Sequence, residues 1–148
     1  MSNLSQHAGS VWKGHAELWL DPLGDSAATS ECMMAVEADR VTYTWSHDGT
    51  SHTGSIALGT DGGADFTDTF HSPEVMPCAA VTDGWGLLQV FGTYGPDRDW
   101  GWRLGISYRQ PTGELVLQMT NVAPWGEEAR AVRMICSPAA PGSVAAGG

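Results

Sequence analysis

Gly95-Pro96-Asp97-Arg98-Asp99-Trp100-Gly101-Trp102-Arg103 is a tight turn that runs straight into the most aromatic strand of the chain, and its continuation decides the fold. From Trp100 the even positions are Trp100, Trp102, Leu104, Ile106 and Tyr108, while the odd ones are Gly101, Arg103, Gly105, Ser107 and Arg109. A period of two is that of a β-strand. One face carries rings and branched aliphatics and the other glycine, serine and arginine, as in an antiparallel sheet covered on one side. Gly101 and Gly105 predict strong bending or the close approach of another backbone. Strong bending is what a small barrel needs.

The same period recurs in both directions along the chain. Val11 to Leu20 places Trp12, Ala16, Leu18 and Leu20 on one side, Glu31 to Glu37 does so with Cys32, Met34 and Val36, and Arg40 to His47 with Val41, Tyr43 and Trp45. Asp48-Gly49 is a strong hairpin signal, because a type I′ turn needs positive φ at both central residues. Strands are then predicted over His52–Gly59, Asp65–His71, Gly86–Tyr94, Trp100–Arg109, Glu114–Val122 and Arg130–Cys136, nine in all. Ser72 to Trp85 holds two prolines and is too long for a hairpin, so it is expected as a loop with room for one helical turn, placed to cap a barrel end. Residues 1–9 are expected to be flexible, and the Ala/Gly/Pro-rich tail 138–148 disordered. They flank one domain over residues 10–137.

No amphipathic helix of eight or more residues is apparent, and nine short strands joined mostly by tight turns predict an all-β, antiparallel up-and-down meander closed into a barrel of about 8–10 strands. Closure removes the sheet edges and leaves an interior that side chains fill or that holds one small ligand. A two-sheet β-sandwich is the alternative, since the alternation is the same in both.

Composition narrows the function classes. The 148 residues carry seven Lys and Arg against 17 Asp and Glu, a net charge of −10, with no basic cluster. Nucleic acid and anionic membrane surfaces are thereby disfavoured as partners. The first residues lack the basic and apolar regions of a secretory signal, and no apolar run reaches membrane-spanning length, so a cytoplasmic location is expected. Cys32, Cys78 and Cys136 are far apart with no CxxC spacing, which predicts buried free thiols rather than a disulfide framework or a zinc site.

An early strand with a tryptophan, Ser10-Val11-Trp12-Lys13-Gly14, followed by a run of hairpins resembles the calycin-type barrels, the lipocalin-like and fatty-acid-binding-protein-like folds. Tyr43-Thr44-Trp45-Ser46-His47-Asp48-Gly49, Phe66-Thr67-Asp68-Thr69-Phe70-His71-Ser72, Trp100-Gly101-Trp102-Arg103 and Met119-Thr120-Asn121-Val122-Ala123-Pro124 are similar to uncharacterised bacterial domains with such barrels. The lipocalin signature itself is incomplete, because Lys13 and Gly14 follow the tryptophan where that family has a glycine before it and an aromatic beyond. The resemblance spans about residues 11–136 and implies a ligand cavity without naming the ligand.

Asp68 lies between Phe66 and Phe70 on the inward face, and a buried carboxylate must find donors or take up a proton. Arg133, Arg103, Tyr43 and Asn121 are the candidate donors, and the bland role is a satisfied polar network that pins the barrel. His71 lies just past that strand, near a barrel mouth. His47 and His52 flank the Asp-Gly turn, but that turn is exposed and has no third ligand, so no metal site is expected. Seven tryptophans serve first as core and barrel-end packing. Functionally, Tyr43, Trp45, Trp100 and Trp102 would line a cavity whose placed polar groups are Asp68, His71, Asn121 and one arginine. The expected function is the binding of a small, mostly apolar or aromatic molecule with no cofactor; a haem would need an axial ligand such as His71. The alternatives are a small barrel enzyme with Asp68 and His71 as its acid–base pair, and a packed barrel acting only through its surface. A homo-oligomer is compatible with each.

Overall fold

The computed structural model describes residues 3–19, 27–81 and 86–139. They form ten strands: β1 (Ser10–Leu18), β2 (Ala28–Val36), β3 (Arg40–His47), β4 (Thr50–Leu58), β5 (Ala64–Asp68), β6 (Ser72–Ala80), β7 (Leu88–Tyr94), β8 (Trp100–Arg109), β9 (Glu114–Val122) and β10 (Glu128–Ala139). Each strand pairs antiparallel with its chain neighbours, and β1 pairs with β10, so the meander is a closed barrel rather than a sandwich. The Asp48-Gly49 turn has φ of 52° and 78° at its two central residues, the mirror-image geometry expected of it. Among the described residues no helix is long and apolar enough to cross a membrane.

The segment expected as a loop after Ser72 is a strand as far as Ala80, and this supplies the tenth. Its prolines are compatible with a ladder for a physical reason. β6 meets β7 only over Cys78–Ala80, so Pro73 and Pro77 lie where one side of the strand carries no neighbour's hydrogen bonds. Residues 81–85 of the expected loop are described only at Val81. The strand expected over Asp65–His71 ends at Asp68, and Thr69 to His71 form the turn that follows. Of the segment expected to be flexible, Asn3–His7 is a turn of 3-10 helix whose Leu4 is fully buried against the core. β10 runs on to Ala139, and the rest of the tail lies outside the described residues.

Side chains fill the interior. Phe66, Met34, Ile56, Leu104, Ile106, Leu115, Leu117, Met119 and Met134 are buried almost completely, and they come from strands all around the barrel. Two inward-facing glycines let neighbours meet across a strand. Gly14 pairs with Cys32 on one side and Cys136 on the other, and the two sulfurs approach to 3.5 Å over it. A Cβ at Gly14 would sit 1.8 Å from the carbonyl oxygen of Ile135. Gly54 pairs with Tyr43 on β3 and Asp68 on β5. A Cβ there would sit 2.0 Å from the Tyr43 ring, which lies across the space that the glycine leaves open.

Cys32, Cys78 and Cys136 are all buried and free, as expected. The Cys136 sulfur and burial push the Cys32 thiol up, and burial together with the Asp65 charge raises Cys78 to about 11, so both are held as thiols.

Because the Gly14 clash is with backbone, Gly14→Ala should cost about 3 kcal/mol or more, at the upper end of overpacking effects. Thr44→Ala, on the outer face of β3, should stay within about 0.5 kcal/mol. Urea unfolding of both variants checks this, and equal midpoints would show that the strands do not meet over Gly14.

Candidate functional site

Asp68 is 1% exposed, and the arginines expected to neutralise it face the other way. Arg133 pairs with Glu17 at 2.8 Å and Arg103 with Glu128, both pairs on the outer face of the barrel. The odd parity of Arg103 on its strand already aims it outward, and Arg133 lies beside buried Val132 and Met134. Neutral donors satisfy Asp68 instead. Tyr43 Oη donates to Oδ2 at 2.5 Å and Trp45 Nε1 at 3.3 Å, while the backbone N–H groups of Phe70 and His71 donate to Oδ1 at 2.7 and 2.9 Å. The last two come from the turn after β5, so the carboxylate also caps that turn. His71 Nδ1 stands 3.6 Å from Oδ1, beyond hydrogen-bond length.

Burial alone would raise the Asp68 pKa. The imidazole of His71, the Tyr43 hydroxyl and the two backbone amides outweigh it and hold the carboxyl down to about 2. Burial, with the Asp68 charge beside it, pushes the Tyr43 phenol well above its ordinary value. Asp68 is therefore an anchored carboxylate at neutral pH.

That turn carries His71 and Phe70 to the barrel end. The His71 ring stacks on Trp45 with centroids 5.8 Å apart and lies 5.1 Å from Trp102, which itself stacks on Phe66 at 6.1 Å. Phe70 is bordered by Trp45, His47, His52 and His71. His47 and His52 are thus part of an aromatic cluster, and among the described residues no three His, Cys, Asp or Glu side chains gather to hold a metal.

Beside these rings a cavity of about 260 Å³ opens at this end of the barrel. Leu18, Phe70, Met76 and Ala131 give it apolar walls; Trp19, His71, Tyr94, Trp102, Asn121 and Arg130 bring its polar atoms. Tyr94 donates its hydroxyl hydrogen to Asn121 Oδ1. Three buried side-chain nitrogens among the described residues have no hydrogen-bond partner: Trp19 Nε1, Trp102 Nε1 and His71 Nδ1. All three residues line this one cavity.

Of the residues singled out from sequence, Trp102, His71 and Asn121 line the cavity, and Tyr43, Trp45 and Asp68 form the network behind it. Trp100 is half-buried between Tyr94 and Trp125 and does not line it, and Arg103 and Arg133 lie outside. Trp19, Tyr94 and Arg130 also line it, and the sequence pattern does not mark them. Strict alternation along β1 sends Trp19 outward. A bulge between Arg130 and Val132 on β10 breaks the alternation and leaves Ala131 and Val132 both buried. Trp19 N donates to Ala131 O at 2.9 Å, and the Trp19 ring turns in beneath the guanidinium of Arg130, 4.5 Å above it. Bulges of this kind are frequent beside functional sites because they re-aim a side chain.

A larger concavity, about 930 Å³, lies on the outer face of β2 to β5 and is lined by Thr42, Thr44, Thr53, Ser55 and Thr67 with Met33. No buried unpartnered atom among the described residues belongs to it. Compared with protein-family models and with curated proteins, the sequence matches neither.

The pKa of Asp68 sets an acid limit on stability. Its folded value lies below its ordinary 3.8, so its contribution is complete above about pH 5 and is lost as pH falls through 3.8 toward 2. The loss should be about 2 kcal/mol, seen by urea unfolding at pH 6 and pH 2.5. Asp68→Asn should cost about 1–3 kcal/mol at pH 6, because its amide turns donors toward the Trp45 N–H. That variant should also lose most of this pH slope; an unchanged slope would assign it to other carboxylates.

Proposed function

We propose that the protein is a calycin-like small-molecule-binding barrel of bacterial, cytoplasmic type, and that a mostly apolar or aromatic ligand occupies the barrel-end cavity. The observation that carries this is the convergence of two unpartnered buried indole nitrogens, Trp19 Nε1 and Trp102 Nε1, on residues that line one apolar-walled space, while His71 Nδ1 stands on the Asp68 side. A buried donor without a partner costs about 1–3 kcal/mol, so two on residues lining a single cavity suit a molecule that brings acceptors. The site also has the general composition of ligand pockets, apolar walls with a few placed polar groups. At about 260 Å³ it is near the lower bound of such sites and suits a compact ligand.

The Asp68–Tyr43–Trp45 network supports the pocket from behind, because it fixes the turn that carries His71. An acid–base role for the same pair would fall to His71 alone. A carboxylate held at about 2 is already ionised at neutral pH and serves to orient the imidazole rather than to carry the proton.

Native mass spectrometry of freshly purified protein should find a co-purifying small molecule, or a compact aromatic probe should change tryptophan emission saturably with one site per barrel. Trp102→Ala should weaken binding by about 1–3 kcal/mol, the value of one buried ring. Trp100→Ala and Trp125→Ala should leave it within about 0.5 kcal/mol, since neither ring lines the cavity. Equal affinities for the wild type and Trp102→Ala would place the site elsewhere, the outer concavity first.

A further inference from the structure

The polar atoms around the barrel-end cavity lean toward donors, with the Tyr94 hydroxyl and the His71 ring able to play either part. Trp19 and Trp102 are 7% and 5% exposed, and an indole nitrogen can only donate. Arg130 at the rim brings a guanidinium, which also has donors and no acceptor. Among the described residues no Asp or Glu lines the space. Asp68, behind the cavity, has both oxygens engaged by Tyr43, Trp45 and two backbone amides. The Asn121 carbonyl oxygen already accepts from Tyr94. A molecule that satisfied this set would have to arrive with acceptors.

The walls add shape. Phe70, Trp102 and His71 present ring surface, and Leu18, Met76 and Ala131 present aliphatic surface. A volume of about 260 Å³ corresponds to roughly nine waters at about 30 Å³ each, the size of one ring with one substituent and too small for a long acyl chain. Resting on the reading of this cavity as a ligand site, we propose that its ligand class is the compact aromatic carboxylates. The ring would lie against Phe70, His71 and Trp102, with the carboxylate oxygens accepting from Trp19 Nε1–H and Trp102 Nε1–H beside Arg130. A charged acceptor strengthens such hydrogen bonds relative to a neutral one. The protein's net charge of −10 does not forbid an anion at this place, because at about 0.15 M salt charges beyond about 8 Å are largely screened.

The test uses three probes of matched size on the intact chain: benzoate, benzamide and toluene, each titrated at about 0.15 M salt. Indole N–H signals are followed by proton–nitrogen NMR, with Trp19 and Trp102 assigned by the peak lost in Trp19→Phe and in Trp102→Phe. Benzoate should bind saturably, move the Trp19 and Trp102 signals downfield, and bind at least roughly tenfold more tightly than toluene. Trp19→Phe should reduce benzoate affinity about three- to tenfold while leaving toluene unchanged, which separates a lost donor from a lost wall. If Trp102→Phe fails to fold, Trp19→Phe and the wild-type titration still decide. Toluene or benzamide binding as tightly as benzoate overturns the carboxylate inference and leaves the binding function standing. No saturable shift with any of the three overturns both, and the cavity is then a water-filled barrel end.

Discussion

A carboxylate placed inside a barrel must be surrounded by donors, and Asp68 finds them without an arginine. Tyr43 reaches it only because Gly54, on the strand between, leaves room for the phenol ring. One contact therefore ties three neighbouring strands at fixed separation. The other carboxylate oxygen takes two backbone amides of the next turn and fixes its path. His71 and Phe70 stand at the barrel end because that turn is fixed. The cavity depends on the rings, the rings on the turn, and the turn on the anion. Replacing the network with apolar groups of similar volume could preserve packing, but it would free the turn that holds the imidazole.

The barrel was legible because one face of nearly every strand is covered, so apolar residues recur every second position from Val41 to Trp45 and from Trp102 to Ile106. β6 escaped notice because it breaks that rule. Only Ser72, Met76 and Cys78 are buried along it, its neighbour on one side is absent for two-thirds of its length, and its prolines read as loop residues. Asp68, Tyr43, His71, Trp102 and Asn121 could be picked out as polar or aromatic residues on inward parity or beside a strand end. Trp19 could not, since a bulge on a strand more than 100 residues later in the chain turns it inward. Arg103 and Arg133 entered as partners for Asp68 because a buried anion suggests a cation. Backbone amides leave no mark in a sequence, and here they supply half of the donors.

The two ends of the barrel are finished differently. At the end where β1 begins, the 3-10 turn drives Leu4 into the core, and Trp12 meets His7 and Tyr108 edge to face beside it. At the other, rings from four connections and strand ends surround the open space. A filled middle with one stoppered end confines any guest to a shallow seat. On the proposed binding function, such a seat would select by ring size and by the chemistry of one edge of the guest rather than by length.

The pairing of β1 with β10, Val11 opposite Ala139 and Leu18 opposite Val132, has a consequence for how the chain is made. During synthesis the first strand emerges before its second neighbour exists, and nine strands accumulate as an open, curling sheet with a bare edge on β1 and another on the newest strand. Unpaired edges are templates for pairing with other chains. The seam can close only after β10 has left the ribosome, so β1 keeps a bare edge until the last strand of the barrel is made. β1 meets that wait with a polar outer face: Lys13, His15 and Glu17 alternate along it and give a foreign strand no continuous apolar surface on which to settle.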